Sequence, residues 1–124
     1  MGDVIEERAG VPVLVCDPAG PPVATEQDAV DLIGAAYLGA EAVVVPVDRL
    51  APEFFTLGTG LAGQVLQKFA QYRLPLAVVG DLTEQLTASG ALRALVRESD
   101  RRDQVWFVPD GAALEARLRA LARR

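Results

Sequence analysis

Histidine is absent from this chain. That removes the Ser-His-Asp arrangement and imidazole metal ligation from the chemistry open to it. Cysteine occurs once, as Cys16, so an intramolecular disulfide is excluded and a reducing compartment is expected. Positive charge is in deficit: 12 basic side chains face 17 acidic ones, a net charge of −5. Such a balance disfavours a nucleic-acid surface. The nearest approach to a basic patch is Arg101-Arg102 and the terminal series Arg117, Arg119, Arg123 and Arg124, which reads better as a helix surface with cations at its C-terminus. Long hydrophobic runs are also missing. None reaches the roughly 18 residues that a membrane-spanning helix needs, and "MGDVIEERAG" has no signal-peptide apolar region. The expectation is a soluble cytoplasmic protein with neither a membrane nor a nucleic acid as partner.

What is present is enough apolar material for a core, 51% of 124 residues, sized for one domain over residues 1–124. "DVIEERAG" and "VPVLVCD" read as two short strands joined at Ala9-Gly10. After the "DPAGPP" loop, Thr25 opens a helix, with Glu26 and Asp28 suited to its N-terminus. Its apolar face is Ala29, Val30, Ile33, Ala36 and Tyr37, and Gly39 stops it. Ala42 to Val47 is a buried strand, in which Pro46 belongs at the end or at a bulge. A helix from Gly60 to Tyr72 follows, with Ala62, Val65, Leu66 and Phe69 inward. "LPLAVVGD" is a further buried strand. Ser89 caps a helix through Glu98, with Leu92, Leu95 and Val96 inward. "QVWFVP" is the last strand, and Asp110 caps a final helix with Leu114, Leu118 and Leu121 on its apolar stripe. The order β-β-α-β-α-β-α-β-α predicts an α/β fold. Its mixed sheet of about five strands has parallel right-handed crossovers, an antiparallel N-terminal edge and helices on both faces.

In such sheets ligands collect beyond the carboxyl ends of the parallel strands. "VDRLAPEFFTLGTG", "GDLTEQLTASG" and "PDG" are expected there. Thr56, Gly58, Thr59, Gly60 and Gly63 stand where a strand hands over to a helix N-terminus with free N–H groups. The threonines either cap that helix or offer a hydroxyl to a ligand or to phosphorylation. The glycines either permit unusual φ and close packing or let an anion approach. "LGTGLAGQ" lacks the GxxxxGK[ST] spacing, and its match to GxGxxG is formal because it does not follow a first βα turn, so no cofactor is expected. Lys68 is the single lysine against eleven arginines. It is either one surviving surface lysine or a compact ammonium kept for a carboxylate or a partner. Asp48 and Asp81 each end a strand, where they either hold a divalent metal or cap loops. Cys16 reads as a small buried hydrophobe.

Phe54-Phe55, Thr59-Gly60-Leu61-Ala62-Gly63, Gln67-Lys68-Phe69, Tyr72-Arg73, Gly80-Asp81 and Glu98-Ser99, with "VWFV" after them, resemble a bacterial family catalogued as domain of unknown function 4180. The resemblance covers about Val43 to Val108. Gln64 stands where the family is expected to carry an acidic residue, and Asp100 where it carries asparagine. A catalytic acid or base at the first position would therefore be missing here. The chain is similar at greater distance to the STAS domains of anti-sigma-factor antagonists, in layout and in the course Asp48, Phe55, Thr59-Gly60. That likeness implies Thr59 as a regulatory phosphorylation site, although the Asp-Ser-Ser-Gly core is absent. The expected function is a non-enzymatic, STAS-like regulatory or protein-interaction module acting through the Gly-rich loop and the helix after it, with a protein partner and room for homo-oligomers. The alternative is a small-molecule or anion-binding or hydrolytic domain using Asp48, Asp81 and Lys68.

Overall fold

The computed structural model describes residues 2–123; Arg124 of the arginine series lies outside them. Five strands form one sheet: β1 (Val4–Arg8), β2 (Val11–Val15), β3 (Ala42–Pro46), β4 (Leu76–Val79) and β5 (Val105–Val108), in the spatial order β1-β2-β3-β4-β5. β1 pairs antiparallel with β2, and every later pair is parallel. The predicted hairpin edge and parallel units are both found. Pro46 closes β3, opposite Val79, where its missing N–H costs no internal ladder bond.

The helices are α1 (Glu26–Ala36), α2 (Leu61–Gln71), α3 (Thr83–Ala88), α4 (Gly90–Arg102) and α5 (Gly111–Ala122). Thr25 caps α1 in a full capping box with Asp28, Ser89 accepts from Leu92 N–H, and Asp110 accepts from Ala113 N–H. Strand residues alternate between two cores. Leu14, Val43, Val45, Leu76, Val78 and Val105 pack under α1, α2 and α4. Val11, Val13, Ala42, Val44, Ala77 and Trp106 pack under α5 with Leu114 and Leu118. The helices thus cover both faces unevenly, three against one. A strand order that always advances in one direction, with crossovers of one hand, puts all the crossover helices on one side.

Several expectations need correction. α3 falls in "GDLTEQLTASG", which was expected to be loop; the Asp81 carboxylate accepts from both the N–H and the hydroxyl of Thr83 and starts the turn. α4 runs one turn past Glu98. Tyr37, expected inside, is 62% exposed, because it sits at the C-cap of α1 beyond the last turn over the sheet; Leu32 is buried on that helix and Val30 only partly. Thr56 has no capping bond, and α2 starts from Gly60 with φ +82°, a conformation that glycine adopts without strain. The stretch between β3 and α2 is three short 3-10 turns, Val47–Arg49, Pro52–Phe55 and Leu57–Thr59, anchored by fully buried Phe54.

Candidate functional site

The carboxyl edge of the sheet is built as the strand order demands, yet the two aspartates expected there are not enclosed. Asp48 and Asp81 follow the ends of the neighbouring strands β3 and β4, and both are exposed. The Asp81 carboxyl sits below its ordinary range because the Thr83 hydroxyl and N–H bond its charged form. Lys68 lies two turns into α2, about 10 Å along the helix from Leu61, and its ammonium is 3.3 Å from Glu26 Oε1 on α1. The structure does not gather Lys68 with the two aspartates. Among the described residues no cluster of three Cys, Asp or Glu could hold a metal. A ligand crevice at a strand edge usually forms where strand order reverses and neighbouring loops diverge; this sheet has no such reversal.

The Gly-rich turn is held by its own side chain. The Thr59 hydroxyl lies 2.8 Å from both the Glu53 and the Thr56 carbonyl oxygens, and it accepts a long 3.3 Å bond from Leu61 N–H. Thr59 therefore clamps the preceding turns onto the helix start. Gly58, Thr59, Gly60, Gly63 and Gln64 are all exposed, as is Thr56. Between Phe54 and Tyr72 the sequence has one charged residue, Lys68. A shallow hollow lies beside this turn, lined by Phe55, Thr56, Leu57 and Gly58 on one side and by Gln85, Ala88, Ser89 and Ala91 on the other.

Two features escaped the sequence reading. Arg49 is only 4% exposed. Its guanidinium bonds both carboxylate oxygens of Asp3, at 2.7 and 3.1 Å, and the carbonyl oxygens of Asp17 and Pro21. That network holds the Asp3 carboxyl below the usual range, the Arg49 hydrogen bond being the main cause. Gly20 leaves room for it, since an added Cβ would meet the guanidinium at 2.7 Å and the Arg49 side chain would have to shift. Cys16 is packed beneath it; burial first, and the Asp3 charge second, push its thiol up to about 12, so it stays protonated and is no nucleophile. Nothing in "VDRL" marks Arg49 as buried except its apolar neighbours. The second feature is a groove between α2 and α4. α2 lines it with Gly63, Leu66, Gln67 and Ala70, and α4 with Leu95, Glu98, Ser99 and Arg102; its volume is about 490 Å³. Each set has the i, i+3, i+4, i+7 spacing of one helix face, a signal that the sequence does carry.

A mixed β/α sheet with a clamped glycine turn opening its second crossover helix is the class that these features define. The chain belongs to the family described as Domain of unknown function (DUF4180), whose model matches residues 8–118. No curated protein and no solved structure matches it. Among the described residues no helix is long and apolar enough to cross a membrane.

Proposed function

We propose that the chain is a non-enzymatic regulatory or protein-interaction module, STAS-like in the surface it uses, and that its contact surface is the Thr56–Gly60 turn with the outward side of α2. The observation that carries this reading is the near absence of charge from Phe54 to Tyr72 over a surface where Thr56, Gly58, Thr59, Gly60, Gly63, Gln64, Gln67 and Gln71 are exposed. Interface centres are depleted of charged residues in the same way. The side chains of an alternative hydrolytic site support it less well, since Lys68 pairs with Glu26 and Asp81 caps α3. The single buried cysteine fits a cytoplasmic setting.

The test is co-purification from the native cell, comparing the unaltered chain with Gly58→Asp and Gln64→Glu. Gly58 has open space around an added Cβ and Gln64 is exposed, so both variants keep the fold. A partner that is retained by the unaltered chain and lost from both variants is the expected outcome. An identical set of captured proteins from all three would sink the reading. Thr59→Asp is a poorer probe, because its carboxylate would face the carbonyls of Glu53 and Thr56 that the hydroxyl now bonds.

A further inference from the structure

The two edges of the sheet are finished differently. At one edge β5 is four residues long and covered on both faces. Val105 and Phe107 pack on the α4 side, and Trp106 and Val108 on the α5 side. At the other edge β1 is five residues long, and none of them belongs to either core. Val4 is 50% and Ile5 38% exposed, and Glu6 and Glu7 are exposed as well. An open edge strand is a template for another strand unless its sequence or shape blocks it. β1 has no proline and no bulge: its register with β2 runs unbroken from Val4 opposite Val15 to Arg8 opposite Val11.

Hydrogen bonds on the far side of β2 fix which way the β1 backbone points. The Pro12 carbonyl accepts from Glu41 N–H, and Cys16 N–H donates to the Val44 carbonyl. These alternate residues therefore turn toward β3. Backbone polar groups change sides at each residue of a strand, so Val11, Val13 and Val15 turn toward β1. Ile5 and Glu7 stand opposite Leu14 and Pro12, and so aim their N–H and C=O groups out of the sheet. The side chains of Val4, Glu6 and Arg8 share one face, where Arg8 Nε lies 2.8 Å from Glu6 Oε2. Two of the charges that could guard the edge are thus neutralised within the strand.

We propose that β1 pairs antiparallel with β1 of a second copy, joining the two sheets into one across a two-fold axis at Glu6. In this register Ile5 of each copy lies opposite Glu7 of the other, and every outward N–H and C=O of those residues finds a partner. The register is also self-complementary in charge. The two Glu6 carboxylates meet at the axis, and the two Arg8 guanidiniums bracket them, each within reach of its own Glu6 and of the one across. Val4 lies against the apolar stem of the other copy's Arg8. A strand of a different protein would have to supply this pattern, whereas a second copy carries it by symmetry. Pairing through one short strand buries less than a standard interface, so the dimer is weak and forms at high concentration. It shares no residue with the contact surface proposed above and does not depend on it.

Sedimentation equilibrium of the full chain from about 10 µM to 1 mM tests the pairing. A monomer–dimer equilibrium is expected. Arg8→Glu and Glu6→Arg each crowd like charges at the axis and should weaken the dimer by about tenfold or more. Mixed in equal amounts, these two variants should pair with each other, because one brings two acids to the edge and the other two bases. Glu7→Pro removes an outward N–H without touching the bonds to β2, and should give a monomer whose circular dichroism matches that of the unaltered chain. A monomer across the whole concentration range would overturn the proposal and leave the edge to a strand of another protein. So would a dimer that survives both Arg8→Glu and folded Glu7→Pro, since its interface would lie elsewhere. So, too, would a mixture of the two charge variants that stays monomeric where the unaltered chain dimerises.

Discussion

Helix α2 meets α1 on one flank and α4 on the other, over the same sheet face, and the two seams differ. Toward α1 it is closed: Lys68 reaches Glu26, Tyr72 stands edge-on to Tyr37 with ring centroids 6.0 Å apart, and Val65 and Phe69 are buried with Ile33. Toward α4 it presents Gly63, Leu66, Gln67 and Ala70 across a hollow. Side-chain size decides the difference. Large side chains fill the first seam, whereas glycine, alanine and a half-buried leucine leave the second short of the atoms that dense packing needs. The closed seam contributes stability, and the open one leaves a groove of about 490 Å³.

The largest effect is expected in the closed seam. Phe69→Ala should cost about 3–5 kcal/mol, and Leu66→Ala on the opposite flank only about 1 kcal/mol. Urea unfolding of both variants measures the contrast, and equal losses would mean that the second seam is packed after all. Next comes the clamp on the α1 side of the fold. Arg49→Met should cost about 2–3 kcal/mol, because Asp3 and the Asp17 carbonyl each lose a bond; a change within error would show that the hairpin edge does not need it.

An acid limb follows from the same pair. The folded-state pKa of Asp3 is depressed, so its contribution is present in full above the unfolded value near 4 and is lost as pH falls through the folded one. Asp3→Asn should therefore flatten the loss of stability below about pH 4 in melts taken across pH. Superimposable acid limbs would remove Asp3 as the cause. The smallest effects lie on the exposed parts of the two flanks. Gly63→Ala should stabilise by about 0.5–1 kcal/mol through helix propensity. Lys68→Ala should cost at most about 0.5 kcal/mol and less in high salt. A loss above 1 kcal/mol in the second case would make the ion pair, rather than the packing beneath it, the seal of the first seam.

Much of the fold was legible because local chemistry and tertiary packing agree. Thr25, Ser89 and Asp110 cap the helices they were expected to cap, and the runs at Ala42, Leu76 and Val105 are strands buried on both faces. α3 was missed because six residues carry too little periodicity, and its start depends on the Asp81 side chain rather than on a hydrophobic pattern. The candidate site was harder to read. Thr59 and Gly60 looked like a ligand-binding helix start, and only coordinates show that the hydroxyl is already bonded to Glu53 and Thr56. Asp3 and Arg49 lie 46 positions apart, a pairing that no local signal encodes. Ser99 sits on the inward side of α4, and the hollow it lines depends on how far α4 stands from α2.

The order β1-β2-β3-β4-β5 also shapes how the molecule is made. Every strand pairs with the strand that precedes it in the chain, so the sheet can lengthen as the polypeptide leaves the ribosome, with α1 and α2 covering one face in turn. The other face waits. Val13, Val44, Ala77 and Trp106 have only α5 to cover them, and α5 is translated after all five strands, then reaches back to β2 as well as to β4 and β5. A nascent chain halted before Gly111 would carry one finished side and one bare apolar side, the kind of surface that chaperones hold and that otherwise aggregates.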